Sequence, residues 1–350
     1  MTRTPGVARR RAPARWNEIL GPYKRADPGK AIFQLVTSAL AFAVLWSAML
    51  LSLEWSYGWT LLLAIPTAGV MVRFFIIQHD CGHGSFFRRR AADNSLGFIL
   101  GILTLTPYHY WRRKHAIHHA TSGNLDRRGS GDVTTLTVRE YRALSAGKCL
   151  AYRLYRSSLS LLLVGPVYLF ILKHRFPFDA PRAWRKEWAG VLITNLALGA
   201  LFVLMGTLFG FPRFLMVQLP ITLLAATAGV WLFYVQHQFE ETYWERKADW
   251  HFHMACVEGS SFYDLPRILH WFTGNIGFHH LHHLSSLIPN YRLQRCMRDN
   301  PELQDVGRLS FWQSIRCARV KLWDEDQGKL IGFREMKPPG EGRKLSRRSD

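Results

Sequence analysis

The 350-residue sequence is short of several things, and each shortage removes a class of explanation. Its five cysteines include no C-x-x-C pair, which excludes a disulfide framework and a cysteine zinc site and suits a reducing compartment. No G-x-G-x-x-G run opens a strand–helix unit, and no cysteine-rich cluster motif is present. Acidic residues are scarce: 25 Asp+Glu against 45 Lys+Arg leave a formal charge of +20. No nucleic-acid module accompanies that charge, so nucleic acid is not an expected partner.

Charge is also missing from four long windows. Residues 31–53, 188–209 and 214–235 contain none, and 59–77 contains only Arg73. Each is close to the roughly 20 residues that cross a bilayer. Apolar residues make up 48% of the chain, yet its mean hydropathy is −0.04, so greasy and charged stretches are segregated. That pattern excludes a disordered chain and disfavours a water-soluble globule. Connectors 54–58 and 210–213 are short enough to fold the windows into two tight helical hairpins. Shorter apolar stretches at 96–106 and 157–172 fall below spanning length. The second is flanked by Arg153, Arg156, Lys173 and Arg175, as expected of a re-entrant or interfacial segment.

The two hairpin tips hold one basic residue between them, Arg213. Cations mark the cytoplasmic side, so the other end of the spans and both termini are expected there. The start of the chain has Arg3, Arg9, Arg10, Arg11 and Arg15, no acid before Glu18 and no serine before Ser38. A lipid-headgroup-binding arm over 1–30 fits better than a transit peptide, and Lys344, Arg347 and Arg348 in a tail over 311–350 read the same way. The fold expected is an all-α integral membrane protein, with four transmembrane helices in two hairpins. Short re-entrant or interfacial helices and a helical cytosolic cap over about 79–187 and 236–310 complete one domain spanning 31–310.

Histidine is abundant by contrast, with 15 copies in clusters. His79 and His83 sit four apart at the cytoplasmic end of the second window. His115, His118 and His119 follow the first short apolar stretch, at i, i+3 and i+4. His279, His282 and His283 repeat that spacing, and His237 lies two residues beyond the fourth window. Residues three and four apart share a helix face, so each set can aim its imidazoles at one point. The topology brings all nine to one layer at the cytoplasmic boundary, more than one metal accepts and enough for two. Imidazole suits zinc, copper, iron and nickel alike. Asp80 is placed to orient an imidazole from behind, whereas Cys81 falls on another helical face and reads as a small buried residue. His280 also has helical spacing to His283, but His279 alone completes the pattern of the second set. His109, His174, His251, His253 and His270 are off-pattern and read as bystanders.

Three segments carry a resemblance: HDCGHGSF at 79–86, HAIHHATSGNLDRRGSGDVTTLTVREY at 115–141 and GNIGFHHLHHLS at 274–285. They resemble the three histidine boxes of the integral-membrane fatty acid desaturases, over most of the chain. The resemblance implies four spanning helices topped by a cytosolic cap with a di-iron centre. Its ligands would be His79, His83, His115, His118, His119, His237, His279, His282 and His283. The three-residue gap in the first box resembles the bacterial acyl-lipid Δ12 (ω6) and ω3 branch. The doubled His279-His280 departs from the pattern.

The implied reaction inserts a cis double bond into a monounsaturated acyl chain with O2 and two electrons. Acid–base and nucleophilic chemistry cannot attack an unactivated methylene, whereas an iron–oxygen oxidant can. With no nucleotide or cluster motif in the chain, the electrons come from a partner, and the cationic side would steer an acidic carrier such as ferredoxin or another small redox protein. The implied location is the bacterial inner membrane, with membrane lipids around the spans. Trp111, Phe239, Trp244 and Trp271 are candidates to line an acyl channel, or to anchor at the interface. A hydroxylase or carotenoid ketolase would share the motifs. A non-enzymatic metal-binding or transporting protein would place ionisable residues within the spans, where only Arg73 occurs.

Overall fold

The structure, a computed structural model, describes residues 13–129, 131–304 and 306–337. Arg3 to Arg11 of the arm and Lys344, Arg347 and Arg348 of the tail lie outside the described residues. Each long uncharged window forms one helix: Pro28–Ser52, Tyr57–His83, Arg185–Phe209 and Phe211–His237. All backbone bonds of a helix are internal, which is what a segment in hydrocarbon requires. The boundaries have local causes. Asp27 caps the first span by accepting from the Lys30 amide, and Pro28 sits in its first turn. Ser56 caps the second by accepting from the Gly58 amide. Gly84, at φ 74°, ends that helix one residue after His83, in a left-handed conformation that disfavours a side chain. The third span stops at Gly210, φ 83°, which turns the chain directly into the fourth.

The second span is the central post. Its apolar window is 61% buried, against 22%, 17% and 28% for the first, third and fourth. It packs on the first and fourth spans and on the helix Arg90–Leu103, which carries most of the first short apolar stretch. Phe33, Leu40, Val44, Leu192, Leu196 and Leu208 stand exposed on the outer spans, as lipid-facing side chains do. The hairpin tips meet: Arg213 pairs with Glu54, and the Tyr57 hydroxyl donates to the Met216 carbonyl at 3.3 Å. Both tips therefore share one end of the molecule, and the histidine ends of the second and fourth spans share the other. The 157–172 stretch is not a straight span. It is a limb, Ser160–Lys173, bent 57° from Ala146–Tyr155, and Thr227 on the fourth span donates to its Leu162 carbonyl at 2.9 Å.

Around the histidine end the chain builds a mostly helical cap with two small sheets. Leu322–Asp324 lies between Leu136–Thr137 and Lys329–Ile331, and Phe262–Asp264 pairs in parallel with Arg308–Ser310. The short helix Pro13–Leu20 buries Trp16 and Leu20 in a cluster with Phe278, Leu281, Ile288 and Leu293. Leu281 is fully buried there, a contribution of about 1.5–3 kcal/mol. It holds the back of the helix His279–Leu284, whose His279, His282 and His283 join the two histidine groups.

Candidate metal centre

Four helices deliver the imidazoles: the last turns of the second and fourth spans, the helix Tyr108–Thr121 and the helix His279–Leu284. All nine predicted side chains come together, in two groups. One holds His79, His83, His115, His119 and His282; the other holds His118, His237, His279 and His283. Within each group the nitrogens on offer lie within 4.8 Å of one another. The division cuts across the sequence boxes. His115 and His119 are one turn apart and stay together, while His118 turns into the second group; His282 likewise parts from His279 and His283. His119 and His283, one from each group, stack at 4.1 Å between ring centroids and join the two. His280 belongs to neither group: it is buried on the far face of its helix, 6.1 Å from the Phe262 ring. His280→Ala is accordingly expected to keep its metal content while His279→Ala loses metal, as elemental analysis of the purified variants will read.

The hydrogen bonding shows what these groups need. The Gly259 carbonyl can only accept, so His237 Nδ1, 3.0 Å away, is the donor and its Nε2 carries the lone pair. The Asp132 carboxylate holds His118 Nδ1 in the same tautomer. His118 Nε2 and His237 Nε2 face each other at 3.2 Å, so the lone pair of His237 points at the second imidazole and into the space between them. His279 Nε2 lies 2.9 Å from His237 Nε2 and 3.1 Å from His283 Nε2. In the first group, His119 Nε2 lies 3.0 Å from both His115 Nε2 and His282 Nε2, and the buried His83 Nε2 has no hydrogen-bond partner. Burial first, and the neighbouring imidazoles second, hold His115, His119, His279, His282 and His283 well below the ordinary histidine range. They are neutral, which is the metal-binding form. The donor set therefore fits two cations with nitrogen ligands.

Outer partners fix the rings. Asp80, expected to stand behind an imidazole, meets His79 Nδ1 at 3.2 Å and accepts from the Asn290 amide and side chain at 2.6 and 2.8 Å. Asp132 and Gly259 do the same for the second group and were not singled out in the sequence. Buried Arg156 steadies the loop carrying Asp132: it donates to Gln238 Oε1 at 2.7 Å and to the Thr134 and Val320 carbonyls at 3.3 Å. Of the aromatic candidates, Trp111 stacks on His115 at 4.6 Å, while Trp244 is buried with Leu125 and Val320 in a separate cap cluster. Phe239 joins the main core, and Trp271 packs under Arg73. Cys81 is free and buried, outside both groups.

Four apolar helices with an all-histidine site at one end define an integral membrane metalloprotein architecture. The family model of the fatty acid desaturases matches residues 53–314. A fatty acid desaturase of Bacillus subtilis is 45% identical over 90% of this chain and 89% of its own. An sn-1 oleoyl-lipid 12-desaturase of Anabaena variabilis is 30% identical, covering 75% of this chain and 77% of its own. An sn-1 acyl-lipid omega-3 desaturase (ferredoxin) of Synechocystis is 30% identical over 69% and 68%. The chain belongs to the fatty acid desaturase family and is an oxidoreductase.

Proposed function

We propose that the nine imidazoles hold two iron ions, and that the enzyme desaturates the Δ12 position of a monounsaturated acyl chain carried on a membrane lipid. One saturated carbon–carbon bond loses two hydrogens, and O2 takes these with two further electrons and two protons to leave two waters. Iron supplies the capacity to activate O2 and remove unactivated hydrogens. The chain's own part is to keep the imidazoles neutral and oriented and to keep water away. The convergence of nine imidazole nitrogens into two groups carries the metal reading. The Anabaena relative's name supports Δ12. Expression in a host without polyunsaturated lipids tests it by gas chromatography of the fatty acids. A new diene is expected, absent with His118→Ala; an unchanged profile with iron loaded and donor supplied contradicts it, and a hydroxy or keto product points to an oxygenase instead.

We infer further that the histidine end faces the cytoplasm of a bacterial inner membrane, because the hairpin tips carry only Arg213 as a basic residue. Electrons enter from the side of the first group. His83, His115 and His119 there are partly exposed, whereas every member of the second group is buried. Arg88 and Arg89 stand exposed just after the first box, a surface suited to an acidic carrier of the kind named for the Synechocystis relative, ferredoxin. Arg88→Gln with Arg89→Gln is expected to slow turnover several-fold when the carrier limits, with the loss shrinking at saturating carrier and growing at low salt. An equal loss at all carrier concentrations would reject this docking side.

A further inference from the structure

A cavity of about 380 Å³ opens beside the start of the first span, lined by Lys30, Phe33, Gln34, Arg73 and Asn290, the last of which holds Asp80 behind His79. Its chemistry is cationic on one wall and apolar on the other. Arg73 is the only charged residue within the four long windows, and it is 8% exposed. Its Nε donates to Ser38 Oγ at 2.9 Å, one terminal nitrogen donates to the Trp271 carbonyl, and the guanidinium lies 4.4 Å from the Trp271 ring. Neither the Ser38 hydroxyl nor the Trp271 carbonyl carries negative charge, and among the described residues Arg73 forms no ion pair with a carboxylate. A buried cation without a counter-ion is costly, so such residues in a membrane protein mark a ligand or a partner. Lys30 adds a second cation from the first turn of the 25-residue first span helix, whose amide dipoles favour an anion. The Asp27 carboxylate nearby is engaged with the Lys30 amide at 3.3 Å and with Arg292 at 3.7 Å. On the other wall Phe33 is 71% exposed on the lipid-facing side of the first span, next to exposed Ile32.

We propose that this cavity seats the phosphate of a membrane glycerophospholipid, with Arg73 and Lys30 on the phosphate and the acyl chains running down past Phe33. An anion alone would find two cations but waste the apolar wall. A neutral diglyceride would use that wall and leave Arg73 without a counter-ion. A fatty acid matches the phosphodiester's single charge but brings one acyl chain to the apolar wall where the phospholipid brings two. The inference goes beyond the desaturation reading and needs only the membrane placement of the spans.

Native mass spectrometry of the full-length, detergent-purified protein tests it, with dioleoylphosphatidylglycerol, dioleoylglycerol, oleate and inorganic phosphate as separate probes. The phospholipid is expected to bind most tightly, and exposed Lys30→Gln to weaken it about fivefold, the worth of roughly 1 kcal/mol per basic residue at a lipid surface. Arg73→Gln is expected to weaken it further and Arg73→Lys to restore part of the loss, while dioleoylglycerol binding changes in neither. Unchanged iron content in Lys30→Gln shows that the fold is intact. Equal phospholipid binding by wild type and Lys30→Gln would overturn the proposal. So would inorganic phosphate, oleate or dioleoylglycerol binding as tightly as the phospholipid. Loss of desaturation in cells with lipid binding intact would count against the proposed reaction and leave this site standing.

Discussion

His283→Ala is expected to lose the iron of the second group and all measurable desaturation, while the first group stays loaded. The second group has four imidazoles, and removing one leaves three around a cation in a fully buried site. The first group has five, so His282→Ala leaves four and is expected to keep most of its metal while still losing product. In the second group even partners behind the ligands cost about 10–100-fold when removed, so loss of one of its four ligands is expected to cost more, whereas the four imidazoles left in the first group cover for His282. Iron per chain, read by elemental analysis beside product yield, separates the two variants. Equal iron loss from both would mean that the nine imidazoles form one shared cluster and not two.

Asp132→Ala is expected to weaken metal binding in the second group by about 10–100-fold and to reduce turnover with it. The carboxylate holds His118 Nδ1–H, and that bond leaves Nε2 free for a metal. Without it the ring is free to rotate or to adopt the other tautomer, which places a proton where the lone pair was. Asp132→Glu, able to remake the bond with a longer arm, is expected to recover part of the affinity. Competition with a chelator, followed by residual iron in each variant, measures the effect. Wild-type iron retention by Asp132→Ala would remove Asp132 from the centre.

The membrane helices and the nine imidazoles were legible in the sequence because each rests on a pattern that geometry enforces. A window such as 188–209 without a charge has few fates outside a bilayer, and the helix Arg185–Phe209 covers it. Spacings of three and four put histidines on one helical face, and the choice of His279 over His280 follows from that repeat. The second helix runs on to His83, past the end of its apolar window at 77, because helix formation does not stop where hydrocarbon does. Less legible was the sorting of imidazoles between groups. His115, His118 and His119 look alike as a face, but the i+3 residue is rotated far enough to meet the fourth span instead. Asp132 was hidden because a loop residue 14 positions beyond His118 obeys no period. Strands as short as Leu136–Thr137 were hidden for the same reason, since two residues carry no alternation.

Anomalous scattering at the iron edge, from crystals of the iron-loaded full-length protein, tests the two-site centre most directly. Two peaks are expected, one among His79, His83, His115, His119 and His282 and the other among His118, His237, His279 and His283. A single peak, or two that leave either set of imidazoles without a metal, would contradict it.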